Sequence, residues 1–151
     1  MNDISKSDFY MNIVILSREK SERLSYTDFS LDKIIISICD PGGEKANLNS
    51  GNGTIKDTFY LELYDISTQT QDVFKGYVSM SDEDAIEIRD FVLEWKDKVN
   101  TLCVQCEMGI SRSAGVAAGI LKAFEKDASV ILNDTRYYPN LSCYEKTVNA
   151  F

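Results

Sequence analysis

The stretch TLCVQCEMGISRSAGVAAGILKAF, residues 101–124, limits the possible folds of this chain more than any other. TLCVQC is an apolar strand ending at Cys106, and SRSAGVAAGILKAF, from Ser111, reads as a helix, small-sided at first and bulkier later. Five residues separate Cys106 from Arg112. A loop that curls from a strand into a helix N-terminus points several backbone N–H groups inward, and the helix dipole adds partial positive charge at the same place. Gly109 allows a backbone approach that a Cβ would obstruct. Arg112 brings a planar fork of donors suited to two phosphate oxygens. Glu107, Met108, Gly109, Ile110, Ser111 and Arg112 thus outline a cradle for a tetrahedral anion, with Cys106 at its floor. The cradle's field favours the thiolate, and Ser113 can donate its hydroxyl to the sulfur when the sulfur leaves. The competing reading is a buried structural cysteine with an arginine nearby by chance. Gly109, the hydroxyl after the arginine, and the flanking strand and helix all weigh against it.

The rest of the chain supplies the scaffold. MNIVIL (11–16) and the β-branched run KIIISIC (33–39) read as strands, the second buried on both faces. TFYLELYDI (58–66) reads as a third strand with Asp65 at its end, and TLCVQC as a fourth. Ser17 caps a polar helix over 17–24, whose REKSER run reads as a solvated face. Ser81 caps a long helix through Val99, with acids in its first turn and an apolar stripe that includes Trp95. YYPNLSCYEKTVNAF is expected to hold a closing helix, and residues 40–54 and 68–76 are connectors. Strands alternating with helices predict one α/β domain over 1–151, a mainly parallel sheet of four or five strands flanked by helices. Residues 1–10 are expected to be a loose extension.

Composition narrows the chemistry. Histidine is absent among the 151 residues, which removes Ser-His-Asp and Cys-His catalysis and histidine metal sites. Cysteines at 39, 103, 106 and 143 lack the paired spacing of a zinc site, so no metal and no cofactor is expected. A net charge of −8 argues against nucleic acid and anionic membranes as partners. No run approaches the ~20 apolar residues of a membrane span. With no secretory signal read at the N-terminus, four cysteines suggest a reducing cytoplasm. A monomer is expected.

VQCEMGISRSAGVAAGI resembles the signature loop of cysteine-dependent protein tyrosine phosphatases, in their small dual-specificity branch. The family pattern is His-Cys-x-x-Gly-x-x-Arg-Ser/Thr. A looser likeness in order and spacing runs over 30–151. The resemblance implies a metal-free phosphomonoesterase that forms and hydrolyses a cysteinyl-phosphate. Its expected substrates are a phosphorylated protein, on tyrosine or on serine and threonine, or a small phosphoester. Inorganic phosphate or another oxyanion would occupy the loop. One departure is Gln105 where the family has histidine. Glutamine keeps hydrogen bonds but carries no charge, so a less favoured thiolate and slower turnover are expected. Two alternatives remain open at this stage: a phosphate-binding module with little turnover, and a thiol-based arsenate reductase. The hundred residues before the signature disfavour the reductase, since relatives of that type carry it near the chain start.

The leaving oxygen needs an acid, and without histidine a carboxyl group is the natural donor. In the family it is an aspartate on a loop before the signature. Asp65 is the first choice here, with Asp72 and Asp57 as fallbacks; Asp40 in CDPGG reads as a turn former. Cys103 and Cys106, three apart on a strand, point to opposite faces, so Cys103 reads as core. Cys39 could approach Cys106 and form a reversible protective disulfide. Cys143 reads as packing of the last helix. Tyr137, Tyr138 and Asn140 either border the pocket or form a turn into that helix.

Overall fold

The structure, a computed structural model, describes residues 9–24, 31–49, 53–66 and 79–151. Asp72 and the 68–76 connector lie outside the described residues. Four strands, β1 (Asn12–Leu16), β2 (Lys33–Cys39), β3 (Ile55–Glu62) and β4 (Thr101–Gln105), pair in the order β1-β4-β2-β3, and every pairing is parallel. The helices are α1 (Arg18–Glu22), α2 (Asp82–Trp95), α3 (Arg112–Ala123), α4 (Ser129–Leu132) and α5 (Leu141–Ala150). This is the α/β sandwich that the alternation of strands and helices predicts.

Strand periodicity divides the core. Ile34, Ile36 and Ile38 of β2 and Leu102 and Val104 of β4 join the large cluster that includes residues of α2, α3 and α5. Ile35 and Cys103 face the other way, into a small cluster with Leu16 and Leu24. Successive side chains of a strand alternate faces, so a fully buried β2 requires cover on both. Cys103 and Cys106 fall in different clusters, as their odd spacing requires.

Several boundaries differ from the sequence reading. Among the described residues β3 is an edge strand, and its outer side tolerates exposed Lys56 and Asp57 at a place where hydrophobicity gives no sign of a strand. It stops at Glu62, so Asp65 sits three residues beyond it, in a loop. Phe9 is no loose extension: it is buried and stacks on Phe124 with ring centroids 4.4 Å apart. α1 is only five residues long, though Ser17 does cap it, its side chain accepting from Lys20 N. Arg18 is not simply solvated; it donates to the carbonyls of Glu44 and Lys45 at 2.6 and 2.8 Å. α2 has the full capping box between Ser81 and Asp84, but it ends at Trp95, and Val99 is buried beyond it. Trp95 is half-buried rather than core, and its indole N–H donates to Asp57 at 3.1 Å. Among the described residues, no helix is long and apolar enough to cross a membrane.

Candidate active site

The central strand pair delivers the site. In the sheet register Leu16, Ser37 and Gln105 are aligned neighbours, and Cys106 follows where β4 ends. In a parallel sheet all three strands finish at the same edge, and sites form beyond strand C-termini. Cys106 N donates to Leu16 O at 3.3 Å, and Arg18 N donates to Glu107 O at 3.0 Å, so the β1–α1 junction holds the outside of the loop. Gly109 adopts φ +69°, the left-handed region that favours glycine. A Cβ there would also lie 2.7 Å from Ser17 N and 2.8 Å from Leu16 C. Both demands, conformation and space, select glycine.

The loop ends at the N-terminus of α3, and this terminus has no side-chain cap. The other helices of ten residues or more are capped, α2 by Ser81 and α5 by Asn140, while the single-turn α4 also lacks a side-chain cap. Ser111 occupies the capping position of α3, but its hydroxyl donates to Asp65 Oδ1 at 2.7 Å instead. The first N–H groups of a helix have no partner within the helix, so the α3 terminus offers donors and the positive end of its dipole to an anion. Cys106, 2% exposed, lies at the base of this terminus, with its Sγ 3.0 Å from Ser113 Oγ in the first turn of α3.

Arg112 is buried, and its side chain does not point to solvent. Its Nη1 donates to Leu63 O and to Asp40 Oδ1, both at 2.8 Å. Nε and Nη2 have no partner among the described residues. The guanidinium is therefore anchored through one nitrogen, and the other two donors remain for a ligand. Asp40 is thus more than a turn former. Its carboxylate fixes Arg112, although its backbone carbonyl also accepts from Gly43 N at 2.8 Å in the expected turn.

Asp65 lies beside the loop. Its Oδ1 accepts from Ser111 Oγ and from Asn140 Nδ2, at 2.7 and 2.9 Å, and Oδ2 has no partner among the described residues. Asp57, a fallback acid, is excluded by position: it sits near the start of β3, at the opposite edge of the sheet, bound to Trp95. Gln105 is fully buried; its Oε1 accepts from Ser37 Oγ at 2.5 Å and its Nε2 donates to Cys106 O at 3.0 Å. Glu107 and Met108 are exposed, whereas Gly109, Ile110 and Ser111 are half-buried. Tyr137 lines a cleft of about 220 Å³ beside Met108 and Ile110, while Tyr138 is exposed and faces a neighbouring groove. Within YYPN, Asn140 hydrogen-bonds to Asp65.

All four cysteines are free thiols, Cys39 included. Burial pushes Cys103 up to about 12. Cys143 is likewise pushed up to about 12 by burial, with further contributions from Asp65 and Cys106. Cys143 therefore packs close to the site, which its position in the sequence does not reveal. No group of three or more Cys, Asp or Glu residues among those described is arranged to hold a metal ion.

No protein-family model matches the chain, and no curated protein matches it in sequence. Solved structures do match in fold. The crystal structure of Tk-PTP in its active form superposes with a TM-score of 0.58 at 11% identity, covering 91% of this chain and 88% of that one. The crystal structure of PTPMT1 gives 0.53 at 13% identity, covering 94% and 92%. At such identities the likeness establishes the fold. In signature and in architecture, the chain resembles the cysteine-dependent protein tyrosine phosphatases.

Proposed function

We propose that this protein is a phosphomonoesterase of the tyrosine or dual-specificity phosphatase type, acting through a cysteinyl-phosphate on Cys106. The observation that carries this reading is the uncapped α3 N-terminus with the Cys106 sulfur at its base. In the proposed reaction, the phosphoryl group of the substrate rests on the loop amides of Glu107–Arg112 and on the two unpartnered nitrogens of Arg112. The Cys106 thiolate attacks phosphorus, and the bond from phosphorus to the ester oxygen breaks. Asp65 gives its proton to that departing oxygen through Oδ2, since Oδ1 is already held by two donors. Water then attacks the cysteinyl-phosphate, and Asp65 takes a proton from it. The sulfur–phosphorus bond breaks, and the Ser113 hydroxyl, 3.0 Å away, donates to the departing thiolate. The names of the two structural neighbours, Tk-PTP and PTPMT1, agree with this class of chemistry.

Hydrolysis of aryl phosphates by the wild type, Cys106→Ser and Asp65→Asn tests the scheme. Cys106→Ser should lose turnover, and Asp65→Asn should lose about 10²–10⁴-fold on poor leaving groups. Full activity in the serine variant would exclude the covalent route. Tight oxyanion binding by a wild type that turns over no phosphoester would instead identify a phosphate-binding module. Comparing phosphotyrosine with phosphoserine peptides separates the tyrosine-specific from the dual-specificity form.

A further inference from the structure

Asn140 hydrogen-bonds to three elements: the loop that carries Asp65, α5 and the signature loop. Its side-chain Nδ2 donates to Asp65 Oδ1 at 2.9 Å and to Ile66 O at 3.1 Å. Its Oδ1 accepts from Cys143 N at 3.0 Å, capping α5. Its backbone N–H donates to Ser111 O at 3.0 Å, at the end of the signature loop. The residue is 92% buried, with 8% of its surface exposed. Helix capping needs only the side-chain oxygen, so an aspartate or serine would cap α5 equally well. What the amide adds is the pair of donors, and both go to the loop that carries Asp65.

We infer that Asn140 is the positioning residue of the acid: it fixes Asp65 by Oδ1, so that Oδ2 is the oxygen that delivers the proton. The inference rests on the phosphatase reading. The two N–H donors also tie the acid loop to α5, and the backbone N–H ties α5 to the signature loop. Asp65 and the anion cradle therefore keep one mutual geometry, which proton delivery to an ester oxygen above the sulfur requires. Ser111 is the second anchor on the same oxygen, donating from within the cradle itself.

Asn140→Asp separates the roles. The aspartate still accepts from Cys143 N and keeps the cap, but it has no donor for Asp65 or Ile66 and sets a second carboxylate against the first. The measurement is kcat across aryl phosphates, from acidic nitrophenol leaving groups to phenol itself, for wild type and Asn140→Asp. Inhibition by orthovanadate and the melting temperature are recorded alongside. The expected result is a loss of at least about tenfold on phenyl phosphate, part of what a positioned acid supplies. Activity on the most acidic leaving groups and vanadate inhibition should stay near wild type, while the melting temperature falls because a second carboxylate is buried beside the first. An unchanged leaving-group dependence, or an equal loss on every substrate with weaker vanadate inhibition, overturns the assignment and leaves Asn140 a structural cap. A wild type inactive on all phosphoesters overturns the phosphatase reading and this inference with it. The two failures are thus distinguished by the wild-type assay.

Discussion

Ser37 and Gln105 are register partners on adjacent central strands, and both are buried. Gln105 Oε1 accepts from Ser37 Oγ, which turns its amide nitrogen toward the Cys106 carbonyl. The peptide joining Cys106 to Glu107 is planar and trans, so pinning that carbonyl directs the Glu107 N–H the opposite way. A neutral relay thereby orients the Glu107 amide where the phosphatases that the signature resembles are expected to have histidine. Replacing Ser37 by alanine leaves a buried amide oxygen without a donor, at a cost of about 1–3 kcal/mol. Urea unfolding of Ser37→Ala should show that loss; a midpoint equal to wild type would mean that Gln105 finds another donor. The juxtaposition of Cys106, Arg112 and Ser113 is legible from the sequence because it is local, carried by one strand, one loop and one helix. The partners that complete the site are distant in sequence. Asp40 lies 72 residues from Arg112, Asp65 lies 46 from Ser111, and Asn140 lies 75 from Asp65. No spacing rule in a single sequence reports such contacts, and so Asp40 reads as a turn and Asn140 as one of two alternatives.

At the scale of elements, the small residues at the start of α3 have a specific use. α5 crosses α3 so closely that a Cβ on Gly115 would collide with Asn140 O, and one on Gly119 would lie 2.7 Å from Thr147 Cβ and 2.9 Å from Tyr144 O. Helix interiors ordinarily gain from Gly→Ala, by up to about 1 kcal/mol. Here backbone and a β-branched side chain stand in the way, and overpacking costs about 1–3 kcal/mol. Gly119→Ala should therefore lower the melting temperature despite its better helix propensity. An unchanged or raised value would show that α5 can slide on α3. The same packing carries function, since α5 begins at Asn140 and a displaced α5 would shift the anchor of Asp65. Elements marked by continuous apolar or small-residue runs are placed well by sequence: β2 is Lys33–Cys39 as read, and α3 differs from its reading by one residue at each end, whereas the periodic α2 stops four residues short of Val99. Elements with weaker signals are placed less well. β3 begins before its apolar residues because an edge strand need bury little, and α4, a single turn over Ser129–Leu132, has no periodicity to detect.

The whole molecule stores two thiols in forms that only the folded state protects. Burial raises both Cys103 and Cys143 to about 12, above the ordinary thiol value of 9.0, because a thiolate in the core loses its hydration. Nearby Lys33 pulls Cys103 slightly back, and Asp65 pushes Cys143 further up. The consequence for stability has a definite sign. Below pH 9 folded and unfolded chains both hold the protons, and the thiols contribute their full share. Between about 9 and 12 the unfolded chain releases its protons while the folded chain keeps them, so stability falls as pH rises. Each thiol contributes a slope of up to about 1.4 kcal/mol per pH unit in that window. Lysines and tyrosines add their own alkaline dependence, and so the difference between variants is the useful quantity. Urea unfolding of wild type and Cys103→Ala from pH 8 to 10.5 supplies it. The alanine variant starts less stable because it leaves a cavity between the sheet and Leu24, but its decline above pH 9 should be shallower than wild type by about one thiol's slope. Parallel curves would mean that Cys103 ionises as readily in the fold as out of it, which a core sealed on that face of the sheet does not permit.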